Sequence, residues 1–148
     1  MITIRHSAVT RVPVEVAFEY LADYRTVPGW LFGISTFEPN GGPDYGLGAT
    51  YDAAMKIGPK TLRSVVKITE WERNRLITLD STSGFRNKSS WRFEADGDET
   101  RLSVDFGYEL PGGLAGKTLG RLIEPFAGQA VRHTDATLRV NLEGQEPA

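Results

Sequence analysis

Between Gly48 and Tyr108 the side chains alternate with a period of two, and this pattern constrains the fold more than any other feature. Tyr51, Ala53, Met55 and Ile57 alternate with Asp52, Ala54 and Lys56, and Leu62, Ser64, Val66 and Ile68 with Arg63, Val65 and Lys67. Arg75 to Ser81 forms the next segment. Trp91, Phe93 and Ala95 then alternate with Arg92 and Glu94, and Leu102, Val104, Phe106 and Tyr108 with Ser103, Asp105 and Glu109. The breaks are hairpin-length: Gly58-Pro59-Lys60, Arg73-Asn74, Ser83-Gly84 and Asp96-Gly97-Asp98. A period of two sends successive side chains to opposite faces of a strand. Consecutive strands joined by short turns make an antiparallel sheet with one dry face and one wet face. Something helical must cover the dry face.

The flanks supply strands and helices. Ile2 to Val9 is rich in β-branched residues and predicts a strand. Pro13 suits a first helical position, and Val14, Ala17, Phe18 and Leu21 follow at helical spacing, so Pro13 to Ala22 predicts a short helix. Asp23 to Trp30 predicts a second short helix or turn, broken at Pro28-Gly29, and Ser35 to Glu38 a short strand. Leu114 to Leu142 predicts a long helix, with Leu119, Leu122, Ile123, Phe126, Ala130, Thr137 and Val140 on one side and a kink at Pro125. Gly144 to Ala148 predicts a frayed tail.

Composition narrows the classes. At 148 residues the chain is expected to be a single domain, 1–148, large enough for a core without staples. A net charge of −2 argues against a nucleic-acid partner. The absence of cysteine excludes disulfides, thiolate metal sites and a cysteine nucleophile, and two histidines make a zinc site a poor expectation. No cofactor and no metal are expected. No apolar run approaches the ~20 residues of a membrane span, and Met1 to Thr10 has no signal-peptide character. The expected location is cytoplasmic and the expected state a monomer or homodimer.

The order of elements carries a resemblance. Ser7 to Pro13, Val16 to Asp23, Pro28-Gly29-Trp30, Gly46 to Tyr51, Ile68 to Leu76 and Trp91 to Leu102 occur in turn across nearly the whole chain. Together they resemble the START-like, helix-grip superfamily, in its polyketide cyclase/dehydrase and lipid-transport branch. The resemblance implies an α+β fold: a curved antiparallel sheet of about seven strands around a long C-terminal helix, with two short helices after the first strand. It implies binding of a small hydrophobic ligand, lipid or polyketide-like, in a cavity between sheet and helix. A cyclase or dehydratase acting on such a ligand, and an interaction or stress module with a vestigial pocket, remain alternatives, since fold does not settle function.

A curved sheet gripping a helix leaves space that side chains need not fill. The expected lining is Tyr51, Met55, Ile57, Leu62, Val66, Leu79, Trp91, Phe93, Val104, Phe106 and Tyr108 from the sheet, with Leu122, Phe126 and His133 from the long helix. A pocket of ~300–1,000 Å³ is the expectation for a small-ligand site. His133 is the candidate general base or hydrogen-bond partner, because its pKa lies near neutrality; a core histidine bonded locally is the simpler role. Asp105 shares the polar face with Ser103 and Glu109 and is expected to be solvated, while Asp80 could face either way. Pro111 to Thr118 approximates a phosphate loop, but without the parallel sheet such a loop requires. Trp30 to Gly33 could form a lid or a membrane-touching lip, with Trp30 as a cap on the core the plainer reading.

Overall fold

A computed structural model describes residues 2–29, 31, 34–57, 60–109 and 140–143. Seven strands form one antiparallel sheet: β1 Ile2–Thr10, β2 Ile34–Pro39, β3 Thr50–Ile57, β4 Lys60–Glu72, β5 Leu76–Gly84, β6 Asn87–Asp96 and β7 Glu99–Tyr108. Their order is β1-β7-β6-β5-β4-β3-β2. From β2 to β7 the chain is therefore a simple meander, and β1 returns to close the far edge against β7 over its whole length. Helix α1, Val14–Ala22, and a 3-10 helix, Tyr24–Gly29, lie between β1 and β2 in sequence.

The helices among the described residues are short. Pro13 has extended dihedrals and caps α1 from outside it, so the helix begins one residue later than expected. Its amphipathic period buries Val14, Ala17, Phe18, Leu21 and Ala22. Phe18 sits edge-on to Trp71 at 4.9 Å and to Phe93 at 5.3 Å, which fixes α1 on the sheet. Asp23 ends the helix: its carboxylate accepts the Arg25 backbone N–H at 3.0 Å and the Arg25 guanidinium at 2.9 Å. The expected helix from Leu114 to Leu142, its Pro125 kink and the loop Pro111 to Thr118 fall wholly or largely outside the described residues. Residues 140–143 are helical. There Leu142 is fully buried while Val140 is 71% exposed, which corrects the expected phase. Two residues apart on a helix are about 200° apart, so only one of the two can face the core. Asn141 Nδ2 donates to the Gly29 carbonyl at 3.2 Å and ties this turn to the 3-10 helix.

The β4–β5 ladder slips twice, between Val65 and Val66 and between Ile68 and Glu70. Each slip is a bulge, which bends the strand and raises its twist. The second also shifts the phase of β4: Ile68 is buried, Thr69 and Glu70 are exposed, and Trp71 turns back inward to meet Ile77. Simple alternation puts Glu70 inward, so the bulge is what sequence periodicity misses.

Residues 81–84 of β5 continue pairing with β4 instead of turning at Ser83-Gly84, because the β5–β6 ladder ends earlier, at Asp80–Lys88. The Ser81 hydroxyl takes over there and accepts the Asn87 backbone N–H at 3.0 Å. Gly84 has φ +78°, and a Cβ at that position would overlap the Arg63 carbonyl oxygen and press on Ser64 Cα at 3.0 Å. Gly84→Ala should therefore cost about 2–4 kcal/mol in chemical denaturation and raise amide exchange along residues 63–66 first. A cost below about 0.5 kcal/mol would show that the strand end can relax.

Candidate functional site

The concave face of the sheet, α1 and the 3-10 helix enclose a partly open pocket of about 90 Å³. This is smaller than the expected ~300–1,000 Å³. Leu21 and Ala22 of α1, Tyr24 and Val27 of the 3-10 helix, and Leu31 line one side. Ile34 and Phe37 of β2 and Tyr51, Ala53 and Met55 of β3 follow. Leu62, Ser64, Val66 and Ile68 of β4, and Ile77 and Leu79 of β5, form the floor. Phe85, then Asn87, Ser89 and Trp91 of β6 and Phe106 of β7, complete it. Cross-strand register explains the convergence. Tyr51 opposes Val66, Met55 opposes Leu62, Ile68 opposes Leu79, Leu79 opposes Ser89, and Ser89 opposes Phe106, all on one face of the pleat.

The sequence-predicted residues divide. Tyr51, Met55, Leu62, Val66, Leu79, Trp91 and Phe106 border the pocket. Phe93 and Val104 do not: both are buried in the packed core, Phe93 beneath Phe18. Tyr108 is 1% exposed in a second cluster beside Phe85 and Phe106. These three share the concave face but lie where neighbouring rings fill the space, and alternation alone cannot separate a lined void from a filled one. Ile57 pairs with Lys60 at the end of the β3–β4 ladder, and its side chain lies outside the described residues. Leu122, Phe126 and His133 also lie outside them, as do Trp30, Phe32 and Gly33. His6 is half-buried opposite Val104. Asp105 is outward as expected, 3.1 Å from Arg92 and 3.6 Å from Arg5, and Asp80 faces Lys88 at 3.9 Å.

Sequence reasoning missed the polar members of the lining. Ser64, Asn87 and Ser89 interrupt otherwise apolar rows yet stay in phase with Val66, Trp91 and Phe93, which was the available signal. Asn87 Nδ2 donates to the Phe85 carbonyl at 2.9 Å and reaches Ser64 Oγ at 3.5 Å. Trp91 Nε1 donates to Ser89 Oγ at 3.1 Å. Among the described residues no charged side chain lines the pocket, and no three His, Asp or Glu side chains group as metal ligands.

Tyr51 anchors the opposite wall. Its ring stacks on Phe37 at 4.7 Å, and its hydroxyl donates to the Asp44 carbonyl at 2.7 Å. Burial, reinforced by the nearby Asp44 carboxylate, pushes its pKa up to about 12. The phenol is therefore a neutral donor at ordinary pH and not a base. Because the folded pKa exceeds that of the unfolded chain, this contribution to stability is complete below pH 10 and is lost as pH rises from 10 through 12. Tyr51→Phe should lower stability by about 0.5–1.5 kcal/mol at pH 7 and flatten the loss between pH 10 and 12 in urea titrations. An unchanged alkaline profile would contradict the assignment.

Asp23, between the lining residues Ala22 and Tyr24 in sequence, behaves oppositely: the hydrogen bond from Arg25 holds its carboxyl below the usual carboxylate range. A lowered folded pKa stabilises above the unfolded value of 3.8, and that stability disappears as pH falls through the folded one. Asp23→Asn should thus lower Tm slightly at pH 7 and converge with the parent at pH 2, as followed by circular dichroism; a constant offset would overturn this.

A model of the family described as polyketide cyclase / dehydrase and lipid transport matches residues 1–143. No curated protein matches the chain by sequence. Among solved structures, TTHA0849 from Thermus thermophilus is similar, with a TM-score of 0.84 and 19% identity over 99% of this chain and 100% of that one. A START superfamily protein from Mycobacterium smegmatis gives 0.77 and 16% over 97% and 99%. The Zhui aromatase/cyclase from Streptomyces sp. R1128 gives 0.77 and 14% over 99% and 96%. At these identities the likeness concerns the fold. Among the described residues no helix is long and apolar enough to cross a membrane.

Proposed function

Because the chain belongs to the polyketide cyclase / dehydrase and lipid transport family, we propose that it binds a small hydrophobic molecule on the concave face of its sheet. The observation that carries this reading is the lining itself, apolar on every contributing element and charged on none among the described residues. The apolar residues spread through Leu114 to Leu142 support that segment as the cover of the open side. A pocket of about 90 Å³ suits a short branched chain or part of a ring. A larger lipid or polyketide-like molecule enters by displacing Met55, Leu62 and Phe85, which are half-buried.

The family description joins cyclases with lipid transport, so a cyclase-type reaction on such a ligand is the second reading. Among the described lining residues only the phenols of Tyr24 and Tyr51 could exchange a proton, and Tyr51 is held at about 12. Binding without chemistry needs only volume and an entrance, and it is the reading preferred here.

Toluene is the simplest probe. Titrated into 15N-labelled protein, it should shift the Trp91 indole resonance and the amides of Leu79 and Ser89 saturably, with a Kd on the order of 0.1–1 mM. Ala53→Phe, which fills the space between Phe37 and Ser64, should abolish the effect while the fold persists by circular dichroism. Absence of saturable shifts in the parent protein would end the proposal.

A further inference from the structure

The pocket's apolar wall is interrupted at one end, where the chain turns from β5 into β6. There Ser64 of β4 and Asn87 and Ser89 of β6 line it together. Polar groups beside an apolar space are costly unless paired, so their hydrogen-bond accounts are informative. Both amide hydrogens of Asn87 are engaged, one by the Phe85 carbonyl and one, at a long 3.5 Å, by Ser64 Oγ. Its Oδ1 remains as an acceptor. Ser64 Oγ accepts from Asn87, so its own hydrogen is left to donate. Ser89 Oγ accepts from Trp91 Nε1 at 3.1 Å and likewise keeps a donor. Two hydroxyl donors and one amide acceptor thus belong to the lining of the pocket.

We infer that the ligand presents an uncharged hydroxyl group to Ser64, Asn87 and Ser89 and lays its apolar body against Leu79, Trp91 and Phe106. A hydroxyl oxygen accepts from the serines while its hydrogen goes to Asn87 Oδ1, so one group satisfies both needs. A carboxylate would bring its oxygens against Asn87 Oδ1, and no cation lines the described wall to offset its desolvation. The corner is built to hold this arrangement. The Ser81 hydroxyl fixes the Asn87 backbone at 3.0 Å, and Gly84 lets β5 run tightly against Arg63 and Ser64.

This inference rests on the binding reading above, and a matched series separates the two. Toluene, p-cresol and 4-methylbenzoate share one ring and differ in the group presented. With the parent protein p-cresol should bind about 3- to 10-fold more tightly than toluene, and 4-methylbenzoate more weakly than either. Ser64→Ala and Ser89→Ala should each bring the ratio of p-cresol to toluene affinity toward one. Ser89→Ala also removes the partner of the Trp91 indole, so Ser89→Thr, which keeps a hydroxyl, should restore the preference and shows that the alanine variant reports binding and not misfolding. If toluene binds but p-cresol gains nothing, or if the serine variants keep the full preference, the inference falls and the apolar pocket stands. Tighter binding of 4-methylbenzoate overturns the uncharged class. If no member of the series binds, both readings fall.

Discussion

The two slips in the β4–β5 ladder are the constraint on which the rest depends. A seven-stranded sheet with a regular ladder twists but does not fold over itself sharply enough to hold space on one face. The first slip leaves Thr82 of β5 as the extra residue and the second leaves Thr69 of β4, so each of the two paired strands is bent once. The second returns Trp71 to the concave side, where Phe18 meets its edge. Helix α1 is therefore held between Phe93, which simple alternation turns inward, and a ring that the bulge brings inward. With α1 placed, Leu21 and Ala22 become one wall of the pocket, and the 3-10 helix, held by Asp23, contributes the next.

The same ladder separates packed core from open space. Toward the α1 end of the sheet, Phe18, Trp71, Phe93 and Leu102 fill the concave face. Toward the β5–β6 turn, the ladder opens at Asp80–Lys88 and side chains replace backbone pairing. Buried backbone groups must find partners. Here Ser81 and Asn87 provide them, and in doing so they bring polar atoms to the pocket's edge. The polar corner follows from how the hairpin ends.

Much of this architecture is legible in the chain's own period. The five segments from Gly48 to Tyr108, the helix after Pro13 and the short strand before the Asn40 loop are all found in the expected order, but β5 runs through the expected turn to Gly84 and β6 begins at Asn87, ahead of Trp91. The pocket is legible only in part. Tyr51, Met55, Leu62, Val66, Leu79, Trp91 and Phe106 share its face because period two is a statement about faces. Phe93, Val104 and Tyr108 carry the same signal and are packed, because filling depends on which rings stand opposite, and that is a property of register and curvature. The bulge at Ile68/Glu70 leaves no composition cue: Thr69-Glu70-Trp71 reads as ordinary alternation until the partner strand is known. Val140 reads as core by helical phase and is exposed, since Leu142, about 200° round the turn, takes the buried side.

Serine and asparagine in strands are easily passed over, because a polar residue among apolar neighbours reads as noise in a hydrophobic stripe. Their phase distinguishes them. Ser90, one residue from Ser89, faces the other side of the sheet, where its hydroxyl meets Thr78 at 3.2 Å and both are buried. Ser89 on the concave side accepts one bond and retains its own hydrogen toward the pocket. Adjacent serines in one strand thus have different chemical standing, set by the pleat alone. The convex pair is buried away from the pocket, so its hydroxyls serve only the protein's own packing. The concave one keeps a bond to offer, and a bond held open beside apolar surface is chemistry directed at something other than the protein itself.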